Sequence, residues 1–187
     1  MSVRRDCGFS LTEVMAVLTV LAITCAISVP VVLSSLDSMK ASGAARSVHS
    51  ELQSARLKAV SANRPIRVRF NCPAAGQFRS VELIGTPAVP DARDTASDRC
   101  GPTYPYPPSG TNLLTRPNHD GPVRYLTAGA TFTASQTIEF WPDGTAHADT
   151  GAGTPWPAIT SSVTLSVKYK NTTKSITVNG VGKVNIQ

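Results

Sequence analysis

From Val14 to Leu36 the chain runs for 23 residues without a charge, and no other feature narrows its possible folds as far. As a helix that run is about 34 Å long, enough to cross the hydrocarbon core of a bilayer. One carboxylate, Glu13, stands at its mouth. A charge toward the centre of such a helix costs roughly 2.5–3.5 kcal/mol on insertion scales, and less near the interface. A lone acid in this position is therefore read as awaiting a positive partner. Ahead of it lie Arg4-Arg5 and then Asp6-Cys7-Gly8-Phe9.

Three simpler readings compete. A secretory signal peptide also begins basic and turns apolar, but its core usually spans about 7–15 residues, lacks an acid and ends in an A-x-A-like site. No such site follows this run. A lipoprotein signal needs Cys after the small residue, whereas Cys7 precedes Gly8. A plain single-span anchor explains the length but not Gly8, Phe9 and Glu13 together. Cleavage between Gly8 and Phe9 explains all three. It leaves Phe9 as a free amino terminus about one helical turn from Glu13, so that the amino group of one subunit can meet the carboxylate of the next.

Gly8-Phe9-Ser10-Leu11-Thr12-Glu13, with the apolar run behind it, resembles the processing motif of type IV prepilins and type II secretion pseudopilins. Pro30 falls where many pilins carry a proline in this helix. A second block, Ile138-Glu139-Phe140-Trp141-Pro142-Asp143-Gly144-Thr145-Ala146 with a later Gly182-Lys183-Val184, is similar to the GspH/FimT family of minor pilins and pseudopilins. The resemblance implies an α+β, pilin-like fold: a long N-terminal membrane-spanning helix packed on a C-terminal antiparallel β-sheet domain. It divides the chain into a leader (1–8), a transmembrane and filament-core helix (9–36), and a soluble domain (37–187) that stays helical to about residue 62. Prepilin peptidase would cut after Gly8 and methylate Phe9, and Glu13 would neutralise a neighbour's terminus in the filament.

The same resemblance implies a structural subunit with no catalytic residue, metal or cofactor. Its partners would be other minor pilins and the major pilin, or pseudopilins, and an inner-membrane assembly platform. The chain would sit in the inner membrane as a single pass with its C-terminal domain in the periplasm, and enter a pilus or pseudopilus after assembly. The expected role is to prime a type IV pilus and lie at or near its tip; export of proteins by a type II secretion system is the alternative. DNA capture is a second alternative, because some FimT-type proteins carry a Gly-Arg-x-Arg motif near the C-terminus. Here the comparable stretch is Gly182-Lys183-Val184-Asn185. Lys183 keeps one cation and Asn185 replaces the other, and Lys lacks the bidentate phosphate geometry of Arg. Lys168, Lys170 and Lys174 are the cations that could compensate.

The net charge of +6 is unevenly spread. Lys40 to Arg79 holds eight basic residues against Glu51 alone, and no acid follows Asp149. In the periplasm Cys72 and Cys100 are expected to pair, closing a span of 28 positions for about 3–4 kcal/mol in the chain-entropy model. Cys25 lies in the apolar run and reads as a packing residue.

Ala41, Ala45, Val48, Leu52, Ala55 and Ala59 recur at helical steps up to the stop signal Asn63-Arg64-Pro65, with Pro30 and Gly43 as expected weak points. Strands are predicted at 66–70 with Arg67 and Arg69 facing solvent, 81–84, 124–126, 131–133, 137–141, 162–170, 174–179 and 183–186. Turns are expected at Pro142-Asp143-Gly144 and Asn171-Thr172-Thr173, the former as a tight hairpin of the terminal sheet. The stretch 86–122, rich in Pro and Gly, reads as a long loop. Asp91, Asp94 and Asp98 within it read as solvated, with a loose calcium site as the alternative. His49, His119 and His147 show no metal-ligand spacing. Trp141 and Trp156 are expected in the core.

Overall fold

The computed structural model describes residues 10–101, 120–151 and 153–187. Its contacts divide the chain into two units, residues 1–38 and 39–187. Helix α1 (Leu11–Ala62) contributes to both. Neither Pro30 nor Gly43 interrupts it. A proline removes one hydrogen bond and a glycine costs about 1 kcal/mol, and many neighbouring turns outweigh both.

In the second unit α1 presents one face. Ala41, Ala44, Ala45, Val48, Leu52, Ala55 and Ala59 are fully buried, the three- and four-residue spacing of a single stripe. Alanine dominates it, so the helix backbone can lie close to the sheets. The helix closes where the sequence predicts. Asn63 adopts φ +51°, and the Arg64 N–H reaches the Ala59 carbonyl at 3.2 Å, a Schellman closure followed by Pro65.

Among the described residues nine strands follow: β1 (Ile66–Phe70), β2 (Gln77–Glu82), β3 (Arg124–Tyr125), β4 (Ala130–Ala134), β5 (Ile138–Phe140), β6 (Ala146–Ala148), β7 (Val163–Tyr169), β8 (Thr172–Val178) and β9 (Val184–Ile186). They form two antiparallel sheets, ordered β3-β2-β1-β5-β6 and β4-β7-β8-β9. One apolar cluster joins the helix stripe to both: Ile66, Val68, Phe78, Ile138 and Phe140 from the first, Leu165, Val167, Ile176 and Val178 from the second. Phe132 of β4 bridges the sheets, edge-on to Phe70 and Phe78 at 5.2 and 5.9 Å.

Several expectations are corrected. The strand placed at 81–84 is β2, four residues earlier at its start, because Phe78 pairs with Phe70 and Ser80 with Val68. The turn placed at 171–173 is the two-residue pair Lys170-Asn171: Tyr169 pairs with Thr172, and Lys170 takes φ +49°. The Trp141–Thr145 hairpin belongs to the first sheet, not the terminal one. It nevertheless abuts the second, where the Ala146 N–H donates to the Gly180 carbonyl at 2.9 Å. Both tryptophans are half-buried rather than core.

The largest correction concerns the outer face of the first sheet. Alternation does turn Arg67 and Arg69 away from the apolar core, but that side is not solvent. Val81, Arg67, Glu139 and His147 line up across β2, β1, β5 and β6. Arg67 donates to Glu139 Oε2 at 2.9 Å and lies 4.0 Å from the Trp156 ring, while Trp141 donates to Glu139 Oε1 at 2.7 Å and stacks on His147. The loop after β2 covers the rest. Arg69 donates to the Thr95 and Ala96 carbonyls. Burial, and then the nearby charges of Arg67 and Arg99, push its pKa down.

That loop is built, not merely solvated. The fully buried Asp94 accepts from the backbone N–H groups of Ile84, Gly85 and Asp91 and from Arg99 at 3.2 Å. Its carboxylate is thus occupied by the protein's own donors. Arg99 reaches Asp120 at 2.8 Å and the Glu82 carbonyl at 2.6 Å. Burial pushes the Asp120 carboxyl up, against the pull of Arg99, the Glu82 N–H and Arg79. Cys72 and Cys100 are bonded beside this cluster, with Cα atoms 5.2 Å apart.

Candidate assembly site

Residues 11–38 carry apolar side chains on every side of α1, and Ser10 starts the helix. The Ser10 carbonyl accepts from the Glu13 and Val14 N–H groups at 3.1 and 3.2 Å, and its Oγ accepts from the Glu13 N–H at 3.3 Å. Ser10 is therefore the N-cap and Glu13 the third helical position, the Ser-x-x-Glu spacing of a capping box. Reading Glu13 only as a membrane charge overlooks this second role, although the spacing is plain in the sequence. The positive end of the helix dipole favours a carboxylate there. Among the described residues no hydrogen bond or ion pair is made to that carboxylate.

The helix beyond it is uncovered. Its most apolar 18-residue window has a mean hydropathy of 2.5, and none of it is buried within the chain. Leu11 is 75 % exposed and Ile27 66 %. Thr19, Thr24, Ser28 and Ser34 turn their hydroxyls back onto carbonyls three or four residues earlier, at 2.7–3.1 Å. Those hydroxyls are satisfied inside the helix and suit a medium without water. The expected cleavage pair, Gly8 and Phe9, lies outside the described residues, as does His119.

The four lysines do not converge. Lys168 sits opposite Thr173 on the outward face of the second sheet, while Lys174 sits opposite Val167 on its inward face. Lys170 occupies the β7–β8 turn and Lys183 the β8–β9 turn, at opposite ends of β8 and about 25 Å apart by strand rise. No single charged face results.

The two motif blocks seen in the sequence do meet, through a residue that sequence reasoning missed. Arg56 of α1 donates from Nε to the Gly144 carbonyl at 3.0 Å and from Nη2 to the Val181 carbonyl at 2.9 Å. It ties the β5–β6 turn and the β8–β9 turn to the helix. Gly182, at φ +73°, has no room for a Cβ beside Gly144 and Arg56.

The prokaryotic N-terminal methylation motif matches residues 3–29, and the model described as type II transport protein GspH matches residues 44–182, well over half of the chain. The chain belongs to the GspH family. Among solved structures, this GspH-family chain is similar to the type IV minor pilin FimU of Pseudomonas aeruginosa, at 14 % identity and TM-score 0.45, over 79 % of this chain and 87 % of that one. It is similar at the same identity and TM-score to the minor pseudopilin EpsH of the Vibrio cholerae type 2 secretion system, over 79 % of this chain and 96 % of EpsH. No curated protein matches it.

Proposed function

We propose that this chain is a low-abundance structural subunit of a type IV pilus, with no catalytic activity of its own, which primes assembly and stays at or near the tip. Residues 1–8 are its leader, 9–36 its membrane and filament-core helix, and 37–187 its exported domain. Arg4 and Arg5 hold the leader in the cytoplasm. Prepilin peptidase cuts between Gly8 and Phe9 and methylates Phe9. The inner membrane then stores the apolar helix until a growing bundle takes it up. Glu13 favours that transfer by pairing with the amino group of a neighbouring subunit. The observation that carries this reading is the uncovered apolar helix that the methylation motif, residues 3–29, runs into. A helix apolar all round needs either lipid or other such helices around it.

The description of the matching family as a transport protein favours a second reading, a pseudopilin of a type II secretion system. Mass spectrometry of filaments sheared from native cells, set beside washed membranes, separates the two. Peptides of this chain in filaments, beginning at methylated Phe9, support the pilus. The processed form found only in membranes with secretion subunits supports the pseudopilus. An uncleaved amino terminus overturns both.

A further inference from the structure

In the second unit, the β7–β8 turn brings positive charge together around one tyrosine. Lys40 of α1 donates from Nζ to the Tyr169 hydroxyl at 3.1 Å and lies 5.2 Å from the centre of its ring. Lys170, in the turn, lies 5.7 Å from the same ring. Lys168 and Lys174 stand one and two rungs back from the Tyr169–Thr172 pair that closes the turn, within about 7 Å along the strands. Those two leave the sheet on opposite faces and share no face with each other. An end of a sheet, however, collects side chains from both.

Little offsets this charge. No residue of β4, β7, β8 or β9 is acidic. Nor is any residue from Leu126 to Gly129, the stretch leading into β4, whose Ala130 pairs with Tyr169. Lys40, Lys168 and Lys174 make no ion pair among the described residues. Along the chain, Asp37 precedes Lys40, and the next acid, Glu51, is bonded to Ser80 and Arg124. With Asp37 counted against the four lysines, three net positive charges remain.

Connectivity says what this end meets. The uncharged run ends at Leu36, and Lys40 follows four residues later. Four residues of chain reach at most about 14 Å in any conformation. The headgroup layer on each side of a bilayer is about 5–8 Å deep, and a lysine stem carries its charge several Å further. A bilayer around residues 14–36 therefore keeps Lys40 at its surface, and Tyr169 and Lys170 with it. Lys183, at the other end of β8, lies about 25 Å away by strand rise. Ammonium groups are compact point charges, suited to phosphates that can move to meet them. The fixed phosphates of a nucleic acid favour the fork of arginine, and none of the four cations is an arginine.

We propose that Lys40, Lys168, Lys170 and Lys174 form a foot that seats the exported domain on an anionic phospholipid surface while the chain is stored in the membrane. This rests on the membrane reading of the apolar helix above and names the ligand the domain takes before assembly. Tyr169 positions Lys40, and the other three lysines supply the remaining contacts.

The test reconstitutes the full chain in nanodiscs of phosphatidylcholine, or of phosphatidylcholine and phosphatidylglycerol in equal parts. A photo-crosslinking amino acid is placed at Asn171, exposed beside Lys170 in the turn. Val181, 64 % exposed in the β8–β9 turn, and Val20, 62 % exposed in the apolar run, are the controls. Lipid adducts at Asn171 should be about tenfold more abundant with phosphatidylglycerol, since each lysine at an anionic surface contributes about fivefold. Val20 should label lipid equally in both, and Val181 in neither. Lys168→Gln/Lys170→Gln/Lys174→Gln should bring the Asn171 yield down to the phosphatidylcholine level, whereas the corresponding triple Arg variant should keep it. Equal yields at Asn171 in the two lipids overturn the foot. So do Val181 adducts as abundant as those at Asn171, an unchanged yield in the Gln variant, a lost yield in the Arg variant, or transfer of the Asn171 adduct to added duplex DNA. If Val20 labels lipid and Asn171 does not, the foot fails and the membrane reading stands. If neither labels lipid, the membrane reading has failed and the foot with it.

Discussion

The two units handle charge in opposite ways. In residues 39–187, Arg67, Arg79, Glu82, Asp94, Arg99, Asp120 and Glu139 are all buried, and the chain itself supplies their partners. Asp94 and Asp120 share Arg99, Arg67 takes Glu139, and backbone groups fill in around them. In residues 11–38 the Glu13 carboxylate stands at the head of an uncovered apolar helix and finds no partner among the described residues. The contrast separates two kinds of incompleteness. The buried charges of residues 39–187 are closed within the chain, whereas the apolar helix of residues 11–38 is left for another molecule, lipid or protein, to cover. Mutations should follow the same division: losses in the closed unit appear as unfolding, and losses in the open unit appear only on assembly.

The sharpest way to break this comparison is Arg99→Met. It leaves Asp94 and Asp120 buried without their shared cation, a change that typically costs about 3–5 kcal/mol. Urea unfolding of the full chain in detergent, followed by the fluorescence of Trp141 and Trp156, should register that loss. A midpoint within error of wild type would show that the buried charges do not hold the loop. Next comes the covalent closure of the same region. Cys72→Ala/Cys100→Ala should lower stability by about 3–4 kcal/mol in the same assay, and trypsin should then cut within 86–101 well before the strands.

Glu13→Ala tests the open unit. The unfolding midpoint should not move, while recovery of the chain in filaments should fall by about tenfold, equivalent to about 1.4 kcal/mol. Normal incorporation would leave Glu13 only as a carboxylate favoured by the helix dipole and remove the charge-pairing idea. The smallest effect is expected at Asp143. The Thr145 hydroxyl and N–H hold its carboxyl below the ordinary carboxylate range. A carboxyl with a depressed folded pKa contributes stability above its unfolded pKa and loses it as pH falls through the folded value. Asp143→Asn should therefore flatten the acid limb of the stability curve below about pH 4, by a few tenths of a kcal/mol at such an exposed site.

Much of the framework is legible from local pattern. The stop at Asn63-Arg64-Pro65 and the stripe Ala41 to Ala59 need only helical spacing and the backbone preferences of the residues beside Pro65. Val163, Leu165, Val167 and Tyr169 declare β7 by alternation. The charge cluster escapes such reading. Arg67 and Glu139 are 72 residues apart, and nothing local says that the loop after β2 folds back to cover Arg67. Arg56 escapes for the same reason: on a helical wheel it is one more surface cation, and only the meeting of two distant turns makes it a clamp. A hint existed in the loop itself, where three aspartates and two arginines, Arg93 and Arg99, fall within the nine residues before Cys100.

What the sequence by itself determined is therefore whatever depends on neighbours along the chain: the apolar run with its carboxylate and processing motif, the end of the helix, and the alternation of the longest strand. Only the tertiary structure decided which side of a strand meets solvent. Alternation assigns two faces but does not say what covers them. It put Arg67 opposite the core and left it to a loop and Trp156 to bury it. Register decided the lysines in the same way. Side chains on a strand change face at every residue, so starting β8 at Thr172 rather than Lys174 sets the turn that aligns Lys174 with Val167 and sends Lys168 to the other side of the sheet.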